Sequence, residues 1–192
     1  MQVKKNELAE SILNAAQEEF LNKGYEDSSL RVIARKANTT LGNIYHYFPS
    51  KEALLIAVCT PAVEAMEMIA TQHLDKHEQV QSMEELKLAF EEVEMHIDDS
   101  ELRFLLDKRL LILLDLKSSS LYTVKEMYLQ KFRYHLRWHL QLNADDDHYV
   151  DLILQMFLEC IRHVLKEQPD PATAKAEFLK VFKMLCSGIV KE

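Results

Sequence analysis

Residues 39–55 read TTLGNIYHYFPSKEALL. Thr39 or Thr40 suits the cap of a helix, yet Gly42 falls in the turn that follows and gives up about 1 kcal/mol relative to alanine. Tyr45, Tyr47 and Phe48 crowd three aromatics into four residues, and Pro49-Ser50 then breaks the helix. A short helix that keeps these residues has a use for its outer face other than its own stability.

Upstream, Leu8, Ile12, Ala15, Ala16 and Phe20 recur at helical spacing and predict a helix over 6–23. Gly24 suits the left-handed position past its end, and Tyr25 is expected to fold back onto it. Ser28 or Ser29 caps a second short helix. In it Leu30, Ile33, Ala34 and Ala37 face inward while Arg31, Arg35 and Lys36 point outward. Asn38 follows, a residue that tolerates the left-handed turn. Two short helices joined by Ala37-Asn38-Thr39 have the dimensions of a helix-turn-helix, whose second helix enters the DNA major groove. On that reading Gly42 lets the backbone approach a duplex, and Ile44 and Phe48 pack inward. Lys51 meets a phosphate beside helix N–H groups.

The 192-residue chain contains 48% hydrophobic residues, enough for a substantial core, and carries a net charge of −8. That balance argues against a general polyanion binder. It is uneven, however: Ser28 to Lys51 contains Arg31, Arg35, Lys36 and Lys51 and no acid. Only three glycines and four prolines occur, which excludes a phosphate-cradling Gly-rich loop and most turn-rich β architectures. The expected fold is all-α with about nine helices. Those beyond the first three are expected over 51–74, 82–97, 101–116, 121–142, 145–167 and 171–191. Pro61 is expected to kink the fourth, Ser82-Met83-Glu84-Glu85 to open the fifth as a capping box, and Asp170 with Pro171 to start the last.

From Ile12 to Leu55 the chain resembles the DNA-binding domain of the TetR family of bacterial transcriptional repressors. The residues that carry the likeness are Ile12-Leu13, Ala15-Ala16, Phe20, Lys23-Gly24-Tyr25, Ile33-Ala34, Ala37, Thr40, Gly42, Ile44-Tyr45, Tyr47-Phe48, Ser50-Lys51-Glu52 and Leu54-Leu55. The resemblance implies that Thr40, Tyr45, Tyr47 and Lys51 grip phosphates, and that Leu41, Asn43 and His46 read bases. Ser29, Arg31 and Gly42 complete the expected DNA-binding set. The family usually has glycine where this chain has Asn38 and histidine where it has Tyr47. Asn43 favours adenine, and no arginine is present in this helix to read guanine.

The resulting division is a helix-turn-helix domain over 1–50 and a ligand-binding and dimerisation domain over 51–192. Surplus apolar residues on the last two helices call for a second copy of the chain. Leu154, Phe157, Leu158, Ile161, Phe178, Phe182 and Leu185 are the expected homodimer interface. Met66, Met95, Phe104, Tyr128, Phe132 and His135 are the candidate lining of a small-molecule inducer pocket. The expected function is a ligand-responsive repressor on a palindromic double-stranded DNA operator. The alternatives are an activator or global regulator with the same head, a metal-binding helical enzyme, or a helical adaptor.

No cofactor and no catalytic constellation are expected. His73/His77 and His135/His139 have the i, i+4 spacing of a two-ligand metal site, but no third ligand has matching spacing. Cys160 and Cys186 sit in apolar stretches and are expected buried and inert, with Cys59 less certain. Unpaired thiols, a polar N-terminus and no apolar run of about 18 residues place the expected protein in the cytoplasm, with no membrane partner.

Overall fold

The computed structural model describes residues 2–71, 88, 91, 105–139, 142–143, 147–167 and 170–187. The fold is all-α: eight helices and no strand among the described residues. They are α1 (Gln2–Asp27), α2 (Leu30–Lys36), α3 (Leu41–Tyr47), α4 (Lys51–Ile69), α5 (Arg109–Asp115), α6 (Ser120–His139), α7 (Asp147–Glu167) and α8 (Pro171–Ser187). Of the helix expected over 82–97 the described residues are Leu88 and Glu91, both helical, while its capping box, His73 and His77 lie outside the described residues.

Close contacts divide the chain into two compact units, residues 1–64 with 108–125, and residues 65–107 with 126–192. In the first, Ile12, Ala16 and Phe20 of α1, Ile33 of α2, Ile44 of α3 and Leu54 and Leu55 of α4 are buried to 2% exposure or less. This core follows from the helical spacing of its apolar positions. At about 25 cal/mol per Å2 of apolar surface removed from water, it is the main source of stability here. Helix α5 packs against α1, and all five residues from Leu110 to Leu114 are buried. The run Leu110–Leu114 is thus apolar all round and gives no periodicity from which the start of the helix expected over 101–116 could be placed. The chain instead makes a 3-10 turn at 105–106 before α5 begins at Arg109.

Gly24 interrupts α1 with φ 77° and ψ 160°. The positive φ matches expectation, but the ψ places the residue in an extended mirror region open essentially to glycine alone, not in the left-handed helical one. Tyr25 then turns back, its ring 5.7 Å from that of Phe20 in an edge-on pair. Pro61 lies inside α4, which continues to Ile69 and a π turn at 70–71.

The turn between α5 and α6 is held by two carboxylates. Glu26 Oε1 accepts from the Lys117 N–H at 3.0 Å, the Ser118 N–H at 3.1 Å and the Ser118 hydroxyl at 3.1 Å. Glu52 Oε1 accepts from the Ser120 N–H at 2.8 Å. From the other side the buried Lys125 ammonium donates to the Leu116 carbonyl at 2.9 Å and lies over the Tyr122 ring. Between these anchors Ser119 has φ 100°, and its buried hydroxyl oxygen has no hydrogen-bond partner.

In the second unit α7 packs on α8, with Phe178 stacked on Phe182 at 5.6 Å and Phe157 at 6.1 Å from Phe182. Asp170 caps α8 as expected, accepting from the Thr173 N–H and hydroxyl at 2.8 Å each. Arg133 of α6 pairs with Asp151 of α7 at 2.6 Å, and Arg137 with Asp147. Cys59 is buried, whereas Cys160 is only half-buried, because it borders the open side of α7 that carries Met156 and His163. The side chain of Cys186 is outside the described set.

Two stability predictions follow from the clamped turn. Burial opposes ionisation of Glu26, but the bonds from Lys117 and Ser118 outweigh it and hold its pKa below the ordinary 4.5. A carboxylate with a depressed folded pKa stabilises above its unfolded value and loses that contribution as pH falls through the folded one. The stability advantage of the parent over Glu26→Gln, measured by urea unfolding, should thus be constant above about pH 5 and shrink below 4.5. At Ser119 the positive φ costs about 1–3 kcal/mol, more than the 0.5–1 kcal/mol entropic cost of glycine. Ser119→Gly should raise unfolding stability by about 1 kcal/mol.

Candidate nucleic-acid interface

The geometry of α3 is set at its first residues. The Ala37 N–H bonds to Ile33 O at 2.9 Å, Asn38 N–H to Arg35 O at 3.1 Å and Thr39 N–H to Ala34 O at 2.9 Å. Asn38 has φ 50°, the left-handed conformation anticipated from its identity. From α1, the Ser11 hydroxyl donates to the Ala37 carbonyl at 3.4 Å. Thr40 is extended and caps α3, its hydroxyl accepting from the Asn43 N–H at 3.2 Å.

With Ile44 buried, α3 turns Gly42, Asn43, Tyr45 and His46 outward. Tyr45 is 50% exposed, Leu41 and Tyr47 are half-buried, and the His46 ring meets Tyr47 edge-on at 5.4 Å. A Cβ built on Gly42 would meet only the Thr40 hydroxyl at 3.8 Å, an ordinary contact. Neither backbone conformation nor packing within the chain requires glycine there. A shallow open groove of about 430 Å3 runs beside this face, lined by Arg31, Ala34, Arg35, Asn38, Thr39 and Leu41.

The four cations of the basic segment differ in what they face. Lys36 pairs with Glu18 at 2.7 Å and Glu19 at 3.2 Å, and the Glu18 hydrogen bond raises its pKa, against a desolvation effect. Lys51, expected to meet a phosphate, donates to the carbonyls of Ser28 at 2.8 Å and Glu26 at 3.1 Å. It lies 4.8 Å from the Tyr25 ring centre. Its burial lowers its pKa, against the pull of Glu26 and Asp27. Arg31 and Arg35 are exposed, one helical turn apart on α2. Ser29 holds the N-cap position of α2 but makes no capping bond through its side chain. The Ser28 hydroxyl instead donates to the Tyr25 carbonyl at 2.6 Å. Arg35 and Thr39 join the groove although neither was among the expected DNA-binding residues. The i, i+4 spacing from Arg31 was the available signal for Arg35.

The remaining expected sites lie in the second unit. Met66, Tyr128 and His135 are buried and Phe132 is half-buried, while Met95 and Phe104 lie outside the described residues. Burial, then the charge of Glu67, raises the Tyr128 pKa. Of the expected interface residues, Leu154, Ile161 and Phe178 are buried within one chain to 3%, 2% and 2% exposure. Phe157, Leu158 and Phe182 are half-buried, and the Leu185 side chain is not among those described. Among the described side chains of α7 and α8, the most open apolar ones are Tyr149, Leu152, Met156 and Met184. No group of three metal-ligating side chains occurs among the described residues. No described helix is long and apolar enough to cross a membrane.

A short helix capped by threonine, set on a second by a left-handed turn and presenting polar residues around a glycine, defines a helix-turn-helix of the DNA-binding kind. Residues 12–58 match the family model described as bacterial regulatory proteins, tetR family. The likeness to that family is thus carried by residues 12–58, the helix-turn-helix part of the chain. The same stretch is 43% identical over 47 residues to the HTH-type transcriptional regulator UidR of Escherichia coli K12, covering 24% of each chain. It is equally identical over 47 residues to the HTH-type transcriptional regulator YuxN of Bacillus subtilis 168, covering 24% of this chain and 16% of that one. The match thus spans a quarter or less of these relatives' length. Two solved structures resemble nearly the whole chain. A TetR-like transcriptional regulator from Rhodococcus sp. RHA1 has TM-score 0.53 at 18% identity, covering 94% of this chain and 93% of that one. The fatty acid degradation regulator FadR from Bacillus halodurans has TM-score 0.52 at 22% identity, covering 94% and 95%. At these identities the likeness is one of fold.

Gly42→Ala separates the two demands on α3. Added helix propensity should raise unfolding stability by about 0.5–1 kcal/mol, while the new methyl on the outer face should weaken duplex binding at least tenfold. Urea unfolding and a duplex titration on the same preparation check both signs.

Proposed function

We propose that the chain is a transcriptional repressor that binds a palindromic operator as a homodimer and is released by a small-molecule inducer. The observation that carries the DNA-binding part is Gly42: a glycine on an exposed helix face with no internal reason to be there. Arg31 and Arg35 supply charge beside it, and Asn43 and His46 supply base-edge donors and acceptors. In this division residues 1–50 bind DNA and residues 51–192 bind ligand and partner. The chain is a regulator, not an enzyme.

The open apolar residues Tyr149, Leu152, Met156 and Met184, with the half-buried Phe157, Leu158 and Phe182 at their margin, support pairing of α7 and α8 with a second copy. A two-fold dimer sets its recognition helices about 34 Å apart, one turn of DNA. Met66, Tyr128, Phe132 and His135 remain the candidate inducer contacts. An inducer acts by binding the non-DNA conformation more tightly than the DNA-bound one. Nearly complete release needs a differential of roughly 5 kcal/mol.

The test is titration of the full chain onto its own upstream DNA and onto a scrambled duplex across a salt series. A sequence-preferring complex of two chains per site is expected, with log affinity falling by about 0.9 per log unit of salt for each phosphate neutralised. Equal, weak binding to both duplexes, followed by an empty selection from random duplexes, would refute the proposal.

A further inference from the structure

Two consecutive threonines hold Asn43. Thr40 takes its backbone N–H, the ordinary work of an N-cap. Thr39 takes its side chain: Asn43 Nδ2 donates to Thr39 Oγ1 at 3.0 Å. The cap is complete without that second bond. Thr39 is itself anchored, since its N–H is bonded to the carbonyl of Ala34 at 2.9 Å, a residue buried to 5% exposure in α2. Its hydroxyl is thus a fixed point from which an exposed amide is oriented.

An asparagine amide has two N–H donors and one oxygen with two lone pairs. Where Thr39 takes the N–H that points away from Oδ1, the other N–H and the oxygen stand side by side. That pair is the complement of an adenine edge in the major groove, which offers N7 as acceptor and N6–H as donor. A free asparagine on a helix surface would have to be ordered at the moment of binding, at a cost in rotamer freedom. Here the ordering is done in the free protein.

We propose that Thr39 is a positioning residue for sequence readout: its hydroxyl fixes the Asn43 amide for bidentate contact with an adenine. The inference rests on the DNA-binding reading of α3 above, and it assigns the readout a base and a second residue. Thr39 acts through the Asn43 amide. Its effect is on discrimination between bases, not on the phosphate contacts that dominate overall affinity.

The experiment is selection from random duplexes at fixed salt with the full chain and its Asn43→Ala, Thr39→Val and Thr39→Ser variants. Each is also titrated onto a non-selected duplex and melted. The parent should prefer adenine at one position in each half-site by about 5- to 150-fold, and Asn43→Ala should abolish that preference. Thr39→Val keeps shape and branching but loses the hydroxyl. It should reduce the preference by about two- to twelvefold, a larger loss than it causes in binding to the non-selected duplex, with a melting point near the parent's. Thr39→Ser should restore it. Should the valine variant fold poorly, Thr39→Ala carries the same comparison. Undiminished adenine preference in Thr39→Val overturns the inference and leaves the regulator standing, as does a selective parent whose Asn43→Ala variant discriminates equally well. A parent that selects no sequence overturns both.

Discussion

The orientation of α3 depends on a three-residue turn whose middle residue, Asn38, has φ 50°. A β-branched or bulky residue is disfavoured there, so the choice of side chain fixes where the second helix can go. The turn's N–H groups return to carbonyls of α2, and Ser11 of α1 satisfies the Ala37 carbonyl. Once the turn is fixed, Ile44 enters the core at 0% exposure. The helical repeat then dictates that Gly42, Asn43, Tyr45 and His46 face away from it. The presented surface is thus a geometric consequence of one left-handed residue and one buried isoleucine.

Polar clamps act on a different scale from that core. Exposed ion pairs contribute about 0–1 kcal/mol each, and Lys36 with Glu18 belongs to this class. The carboxylates of Glu26 and Glu52 receive charge-assisted bonds from backbone N–H groups, stronger than neutral ones but weakened by solvent where they lie exposed. Apolar burial decides whether the unit folds. The clamps decide where the turn between α5 and α6 rests, firmly enough to keep Ser119 at a φ that most residues avoid.

The helix-turn-helix was legible because its signals are local. Asn38, the capping Thr40 and the apolar spacing of Ile33, Ala37 and Ile44 all act within a few residues of one another. Gly24 was legible as a positive φ but not in its ψ, since glycine admits several regions at similar cost. What was not legible depends on contacts distant in sequence. The apolar run Leu110–Leu114 shows burial without direction, so the start of α5 and its place against α1 could not be read. Leu154, Ile161 and Phe178 form an apolar stripe, but periodicity does not say whether the chain itself or a partner covers it. The carbonyls that receive Lys51 appear only once the end of α1 and the start of α4 come together.

The same limit governs charge. The sequence offers four cations between Ser28 and Lys51, and counting them suggests a broad basic face on a chain of net charge −8. Lys36 faces Glu18 and Glu19 and Lys51 faces carbonyls, so the exposed charge beside α3 contracts to Arg31 and Arg35. At physiological salt the screening length is about 8 Å, and acidic side chains beyond that distance scarcely oppose these two. A protein acidic overall can therefore hold a polyanion locally, provided that the contact is narrow and the backbone comes close. Gly42 meets the second condition: without a side chain at that point, α3 can lie nearer to a duplex than any other residue would permit.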